Sequence, residues 1–179
     1  MYAATAATIV SRAIAEWCQF FAYFAYSLLI TGWVYPPVSH WAWDQTAWLA
    51  QLGWYKDFAG SSVVHLVGGS CALLGCFFIG ARRGRFSKKG DPVDIPGHSV
   101  PLAVLGGFIL IFGYLAFNGG SQTQIAYQGG GNVIALAIVN TILVASTGGL
   151  AVLFINKFLF KKLWCFLMCL NGALAGISP

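Results

Sequence analysis

The stretch Asp57-Phe-Ala-Gly-Ser-Ser-Val-Val-His65-Leu-Val-Gly-Gly69 decides how this chain is read. One acid and one histidine stand at the start and in the body of an otherwise uncharged apolar run. A titratable side chain in hydrocarbon is costly and usually faces a polar cavity or a partner. On an unbroken helix His65 would lie about 12 Å beyond Asp57, at 1.5 Å per residue. That depth approaches the middle of a hydrocarbon layer about 30 Å thick. An acid at the mouth and an imidazole at the midplane suggest a route for a small cation or a proton.

The rest of the sequence supplies the membrane. Of the 179 residues, 58% are hydrophobic and 8% charged, and the mean hydropathy is +0.73. Soluble domains carry about 25% charged residues. Five apolar segments are long enough to cross, at about 17–36, 58–81, 99–118, 131–156 and 160–178. Residues 2–14 look like the last turns of a further helix, and both ends of the chain look cut. No basic region precedes the first apolar stretch, so residues 1–20 do not read as a cleaved signal peptide. The expected fold is therefore an all-α integral membrane protein of about five complete spans and a partial one.

A net charge of +5 and a pI near 9.1 invite a nucleic-acid reading, but the placement of the charges argues against it. Arg12, Arg82, Arg83, Arg85, Lys88, Lys89, Lys157, Lys161 and Lys162 fall on one side if the spans alternate. Only Lys56 falls on the other. The nine read as topology determinants that make their side cytoplasmic. Five of the seven tryptophans (Trp33, Trp41, Trp43, Trp48 and Trp54) fall in or beside the opposite connection between the first two full spans. There, amphipathic rings suit the outer interface. The five cysteines lie among apolar residues and read as small buried hydrophobes rather than metal ligands.

Asp57 has a structural reading as a helix-opening carboxylate that accepts from orphan backbone N–H groups. That role is compatible with stabilising a cation at an entrance. His65 has Ser61 and Gly69 at i−4 and i+4, with Gly68, Ala72 and Cys76 close by. This small ridge permits close helix approach or leaves space beside the imidazole. Phe117-Asn118-Gly119-Gly120-Ser121 closes a span on the same outer side as Asp57. Its phenyl ring can occlude a pore, and its serine can accept from an ammonium-like donor. Trp43 can hold a cation over its face. No serine–histidine or paired-acid arrangement with catalytic spacing occurs, so an enzyme is not expected.

These stretches resemble the ammonium transporter, methylammonium permease and Rhesus protein family. The segment from Asp57-Phe-Ala-Gly-Ser through Val64, Gly68-Gly69, Ala72-Leu73, Phe77-Phe78, Gly80 and Arg82 is similar to the family signature throughout. Ala3 to Ser11, Tyr35-Pro36 through Ser39-His40-Trp41-Ala42-Trp43, Phe117 to Ser121, and Leu170-Asn171-Gly172-Ala173-Leu174-Ala175-Gly176 also resemble it. The resemblance implies a trimer of eleven-helix subunits built as inverted halves, with residues 1–179 supplying the end of helix 3 through most of helix 8. It implies ammonium or ammonia, with methylammonium as a related cargo, no cofactor, no metal, no nucleic acid, and the plasma membrane as the site. It further implies that Trp43 and Ser121 recruit ammonium, with Asp57 organising that entrance. Phe117 would be one ring of a gating pair, and His65 the first of two pore histidines.

Some positions depart from the pattern. Tyr2 stands where the second gate phenylalanine is expected, Arg12 where related chains have glycine, and Trp17 where an arginine should follow Ala15-Glu16. The second pore histidine belongs to a later helix than this chain includes, and neither His40 nor His98 is placed to substitute. The alternative expectation is thus a truncated, non-conducting family member acting as an interaction subunit.

Overall fold

A computed structural model describes residues 1–15 and 18–178. The regular structure of the described residues is helical, with one isolated β-bridge between Phe86 and Pro92 and no strand. The helices are α1 (Tyr2–Ile14), α2 (Phe20–Leu29), α3 (Tyr35–Trp43), α4 (Val67–Ile79), α5 (Val100–Gly120), α6 (Gly130–Phe154) and α7 (Phe166–Ile177). Three π-helical turns join or extend them: Ile30–Val34 between α2 and α3, Ser61–Leu66 leading into α4, and Ile155–Leu159 after α6. Trp17, one of the positions noted above, lies outside the described residues.

Helices are what an apolar solvent demands, because each satisfies its own backbone polar groups. Ser61–Ile79, Val100–Gly120 and Gly130–Leu159 are long and apolar enough to cross a membrane. Their outward side chains fit that solvent and no other. Leu73, Phe77, Phe78 and Phe112 are each more than 70% exposed, an apolar surface that water would not tolerate. The protein is a membrane protein.

Two expected boundaries shift. The segment expected at 17–36 runs on as helix through Pro36 and Pro37 to Trp43. The prolines fall in the first turn of α3, where their missing N–H groups cost least, and the ladder widens to π geometry just before them. The last span, expected over 160–178, is helical only over the 12 residues of α7. Before it Lys161 takes a left-handed conformation at φ 52°, which breaks the chain from the turn at Ile155–Leu159.

The chain divides into two compact units, Met1–Pro96 and Gly97–Pro179. In the first, α1 and α4 pack in parallel. A Cβ on Gly68 would stand 2.9 Å from Ile9 Cβ and 3.0 Å from the Ala6 carbonyl, and one on Gly75 would stand 3.1 Å from Ile14. Ala6, Ala7, Val10, Ile14, Ile30 and Val64 form the core there. In the second unit α6 and α7 run antiparallel at very close range. A Cβ on Gly172 would lie 2.5 Å from the Gly148 carbonyl and 2.7 Å from Val152. Small residues let backbones meet in this way.

Candidate functional site

Four of the six singled-out residues (Tyr2, Trp43, Asp57 and His65) belong to the first unit, and Phe117 and Ser121 belong to the second.

Asp57 is the organising group. Its Oδ1 accepts from the N–H of Gly60 at 2.6 Å and of Ser61 at 2.9 Å. Its Oδ2 accepts from the N–H of Ser62 and of Val63, each at 2.9 Å, and from the Ser62 hydroxyl at 2.7 Å. These are the orphan donors of the helical run that starts at Ser61, so the carboxylate caps its whole first turn. Burial pushes the Asp57 carboxyl up, but the bonds from Val63, Ser62 and Gly60 pull harder, and it titrates below its ordinary value. With five donors on two oxygens, the carboxylate has little capacity to ligate a cation directly. Its negative charge remains, and acts through space.

The expected depth of His65 assumes a helix unbroken from Asp57 as its opening residue. The structure places Asp57 four residues before the start, with Gly60 between them in the left-handed region at φ 99°. A Cβ there would meet Val64 Cγ2 at 2.6 Å, so glycine is required on both counts. The correction changes the depth of His65. It is the fifth residue of the run Ser61–Ile79, about 6 Å along the helix axis rather than 12 Å.

Gly60 also connects the two polar groups. Its N–H donates to Asp57, while its carbonyl accepts from the N–H groups of Val64 and His65, each at 3.0 Å. His65 Nδ1 lies 3.1 Å from the same oxygen. A carbonyl can only accept, so Nδ1 carries the proton, and in the neutral ring Nε2 is the basic nitrogen. The π geometry of Ser61–Leu66 widens the turn that holds the ring over Gly60.

Trp43 closes α3, half-buried, rather than lying in the connecting segment. Its indole N–H donates to the Asp57 carbonyl at 2.8 Å, and its ring packs against Tyr2 with centroids 5.2 Å apart and planes at 58°. Both rings lie against the apolar core of the first unit. The Tyr55 hydroxyl bonds the Ser62 hydroxyl, adding an outer layer to the cap. Sequence reasoning missed Gly60, Ser62 and Tyr55. An Asp followed three residues on by Gly, then Ser-Ser, is a legible capping pattern; nothing in the spacing of Tyr55 and Ser62 announces their bond.

In the second unit, the Ser121 hydroxyl donates to the Phe117 carbonyl at 2.8 Å. A hydroxyl whose proton is so committed acts toward any further group as an acceptor. Phe117 packs edge-on to Tyr114 at 6.2 Å. Between them Asn118 is buried, its Nδ2 donating to Thr141 Oγ1 at 2.9 Å and to the Ile177 carbonyl at 3.3 Å. This bond set ties the end of α5 to both α6 and α7, and was also missed. Among the described residues no group of three or more His, Cys, Asp or Glu comes together.

A capped helical run carrying a histidine, in a chain whose described residues include three helices long and apolar enough to cross a membrane, defines a polytopic membrane protein with a polar site inside an apolar span. Residues 1–178 match the model of the Ammonium Transporter Family. The chain is 43% identical over 186 residues to a putative ammonium transporter 1 of Caenorhabditis elegans, covering 99% of this chain and 35% of that one. It is 40% identical over 189 residues to ammonium transporter 1 member 3 of Solanum lycopersicum, covering 98% and 41%. Among solved structures it resembles a Sensor Amt Protein, with TM-score 0.84, 37% identity and 99% and 44% of the two chains covered. It also resembles Candida albicans Mep2, with TM-score 0.82, 31% identity, and 99% and 37% covered. The chain belongs to the ammonium transporter family. It spans between a third and a half of the length of these relatives.

Proposed function

We propose that this chain supplies part of a conduit for ammonium or ammonia, methylammonium included, across the plasma membrane. We assign it the end of helix 3 through most of helix 8 of an eleven-helix subunit that assembles as a homotrimer. The observation that carries the reading is the Asp57–Gly60–His65 relay of hydrogen bonds at the head of an apolar span. Family membership over the whole chain supports it.

The chemistry follows from solvation. Moving an intact ammonium ion into hydrocarbon is heavily penalised, whereas neutral ammonia crosses at far lower cost. Trp43 would hold the cation over its indole face and Ser121 would accept a hydrogen bond from one of its N–H groups. Asp57, its oxygens committed to backbone donors, would stabilise the ion by charge alone. Phe117 and Tyr2, by the family resemblance, would each supply a ring that restricts entry. Past them, the Nδ1–H tautomer of His65 would offer Nε2 as an acceptor to ammonia or to the released proton.

The test is methylammonium uptake by the intact polypeptide carrying His65→Ala, in cells lacking their own transporters. Uptake should fall at least tenfold at equal surface expression. Unchanged uptake would remove His65 from the pathway. The wild-type arm of the same assay tests the alternative, a non-conducting interaction subunit, which gains support if the wild-type protein carries nothing by itself.

A further inference from the structure

Within the first unit, the C-terminal ends of α1 and α4 and the loop that follows line an open cavity of about 510 Å³. Arg12, Arg82 and Arg85 line it, with Asp94 as the one carboxylate among the described lining residues. Arg85 Nη1 donates to the Val93 carbonyl at 2.6 Å and stands 3.8 Å from Asp94 Oδ1. That ion pair offsets little of the positive charge, because Asp94 is fully exposed and such contacts are weak. The loop wall is built rather than loose. Val93 N–H donates to the Arg85 carbonyl at 2.7 Å, Ser87 N–H donates to the Asp91 carbonyl at 2.8 Å, and Phe86 bridges Pro92.

Three guanidiniums reach this space from three places: a helix end, the residue pair after α4, and the loop. A guanidinium carries a rigid fork of five donors that matches two oxygens of a phosphate, and one already bonded through a single nitrogen keeps others to offer. Cys76, Ile79 and Ile95 supply an apolar wall beside them, suited to the carbon stem of a phosphate ester. Arg83, Lys88 and Lys89 add positive potential nearby. Basic pockets between helices on the cytoplasmic side are where anionic headgroups are held.

We propose that this cavity binds a phosphate ester, as the headgroup of an anionic lipid or as a soluble organophosphate, and that Arg12 completes it. The inference is independent of the conduction reading. A chain with glycine at position 12 would keep the apolar wall and lack one of the three forks.

The experiment uses the intact polypeptide purified in neutral detergent, with native mass spectrometry counting bound dioleoylphosphatidylglycerol against dioleoylphosphatidylcholine. Wild type should prefer the anionic lipid, and Arg12→Gln should weaken that binding about tenfold, as loss of a charge-assisted bond predicts. Lys161→Gln, which removes a charge elsewhere, should leave it unchanged, and Arg12→Lys should restore part of it. Displacement of the lipid by glycerol 3-phosphate, or binding of glycerol 3-phosphate without lipid preference, identifies a soluble ligand. Resistance to displacement identifies the headgroup. Equal binding of both lipids together with no binding of glycerol 3-phosphate overturns the proposal, as does equal weakening by Arg12→Gln and Lys161→Gln. Should Arg12→Gln fail to fold, the wild-type lipid comparison and the Arg12→Lys variant still decide.

Discussion

Replacing Asp57 by Asn keeps the shape of the side chain and removes its charge and half its acceptors. One oxygen still serves two of the five donors. The amide NH₂ that replaces the other oxygen would face the N–H groups of Ser62 and Val63 and the Ser62 hydroxyl. The hydroxyl can turn to accept, but the two backbone donors cannot. Each buried donor left unsatisfied costs about 1–3 kcal/mol. Because Asp57 is only half-buried, the lower end applies, and the loss should come to about 2–3 kcal/mol. For a domain of this size that is about 4–12 °C in melting temperature. The assay is thermal unfolding of the intact protein in detergent across a pH series. The carboxyl titrates below its ordinary value in the folded protein. Its contribution is therefore complete above the unfolded-state pKa of about 4 and is lost as pH falls through the lower folded value. Wild type and Asp57→Asn should differ most near neutral pH and converge under acid conditions. A variant that melts with wild type at pH 7, or a gap that persists unchanged below pH 3, would refute the capping argument.

Three other substitutions probe separate parts of the structure. Gly60→Ala combines a left-handed backbone with a methyl 2.6 Å from Val64 Cγ2. It should cost about 2–4 kcal/mol by strain and overpacking and show as a lowered melting temperature, whereas no change would mean the turn relaxes freely. Trp43→Phe keeps an aromatic face and loses the 2.8 Å bond to the Asp57 carbonyl. It should cost about 1 kcal/mol of stability while leaving ring-dependent cation binding in place, checked by pairing melting curves with the apparent affinity for methylammonium. Gly172→Ala drives a methyl against the Gly148 carbonyl at 2.5 Å, a backbone atom that cannot swing aside. The α6–α7 pair should separate at a cost of about 1–3 kcal/mol, visible as reduced yield of folded protein in detergent.

How far the sequence could be read depended on what each residue answers to. The existence and class of the helices were legible, because bulk hydropathy and the hydrogen-bonding demands of lipid act over some twenty residues at once. Boundaries were less so. Helix continuing through Pro36-Pro37 and not beginning until Phe166 in the last span both depend on local hydrogen-bond detail that a hydropathy window averages away. Asp57 was legible as a cap but not as an anchor lying outside the helix, since that placement follows from the left-handed turn at Gly60. The same turn explains why His65 sits nearer the start of its span than residue counting implied. It also explains what counting could not express. Acid and imidazole never touch, yet Gly60 serves both, giving its N–H to the carboxylate and its carbonyl to Nδ1. A change at Asp57 should therefore reach His65 through the Gly60–Ser61 peptide, whose N–H donates to the carboxylate and whose carbonyl accepts from Nδ1, so the electrostatic and positional roles of the acid are one arrangement seen from two sides. Asn118 makes the complementary point in the second unit. Its neighbours Phe117 and Ser121 carry the recognisable chemistry, but the buried amide is what fixes the end of α5 against Thr141 and Ile177. Those partners lie 23 and 59 residues away, a relation that only the folded chain contains.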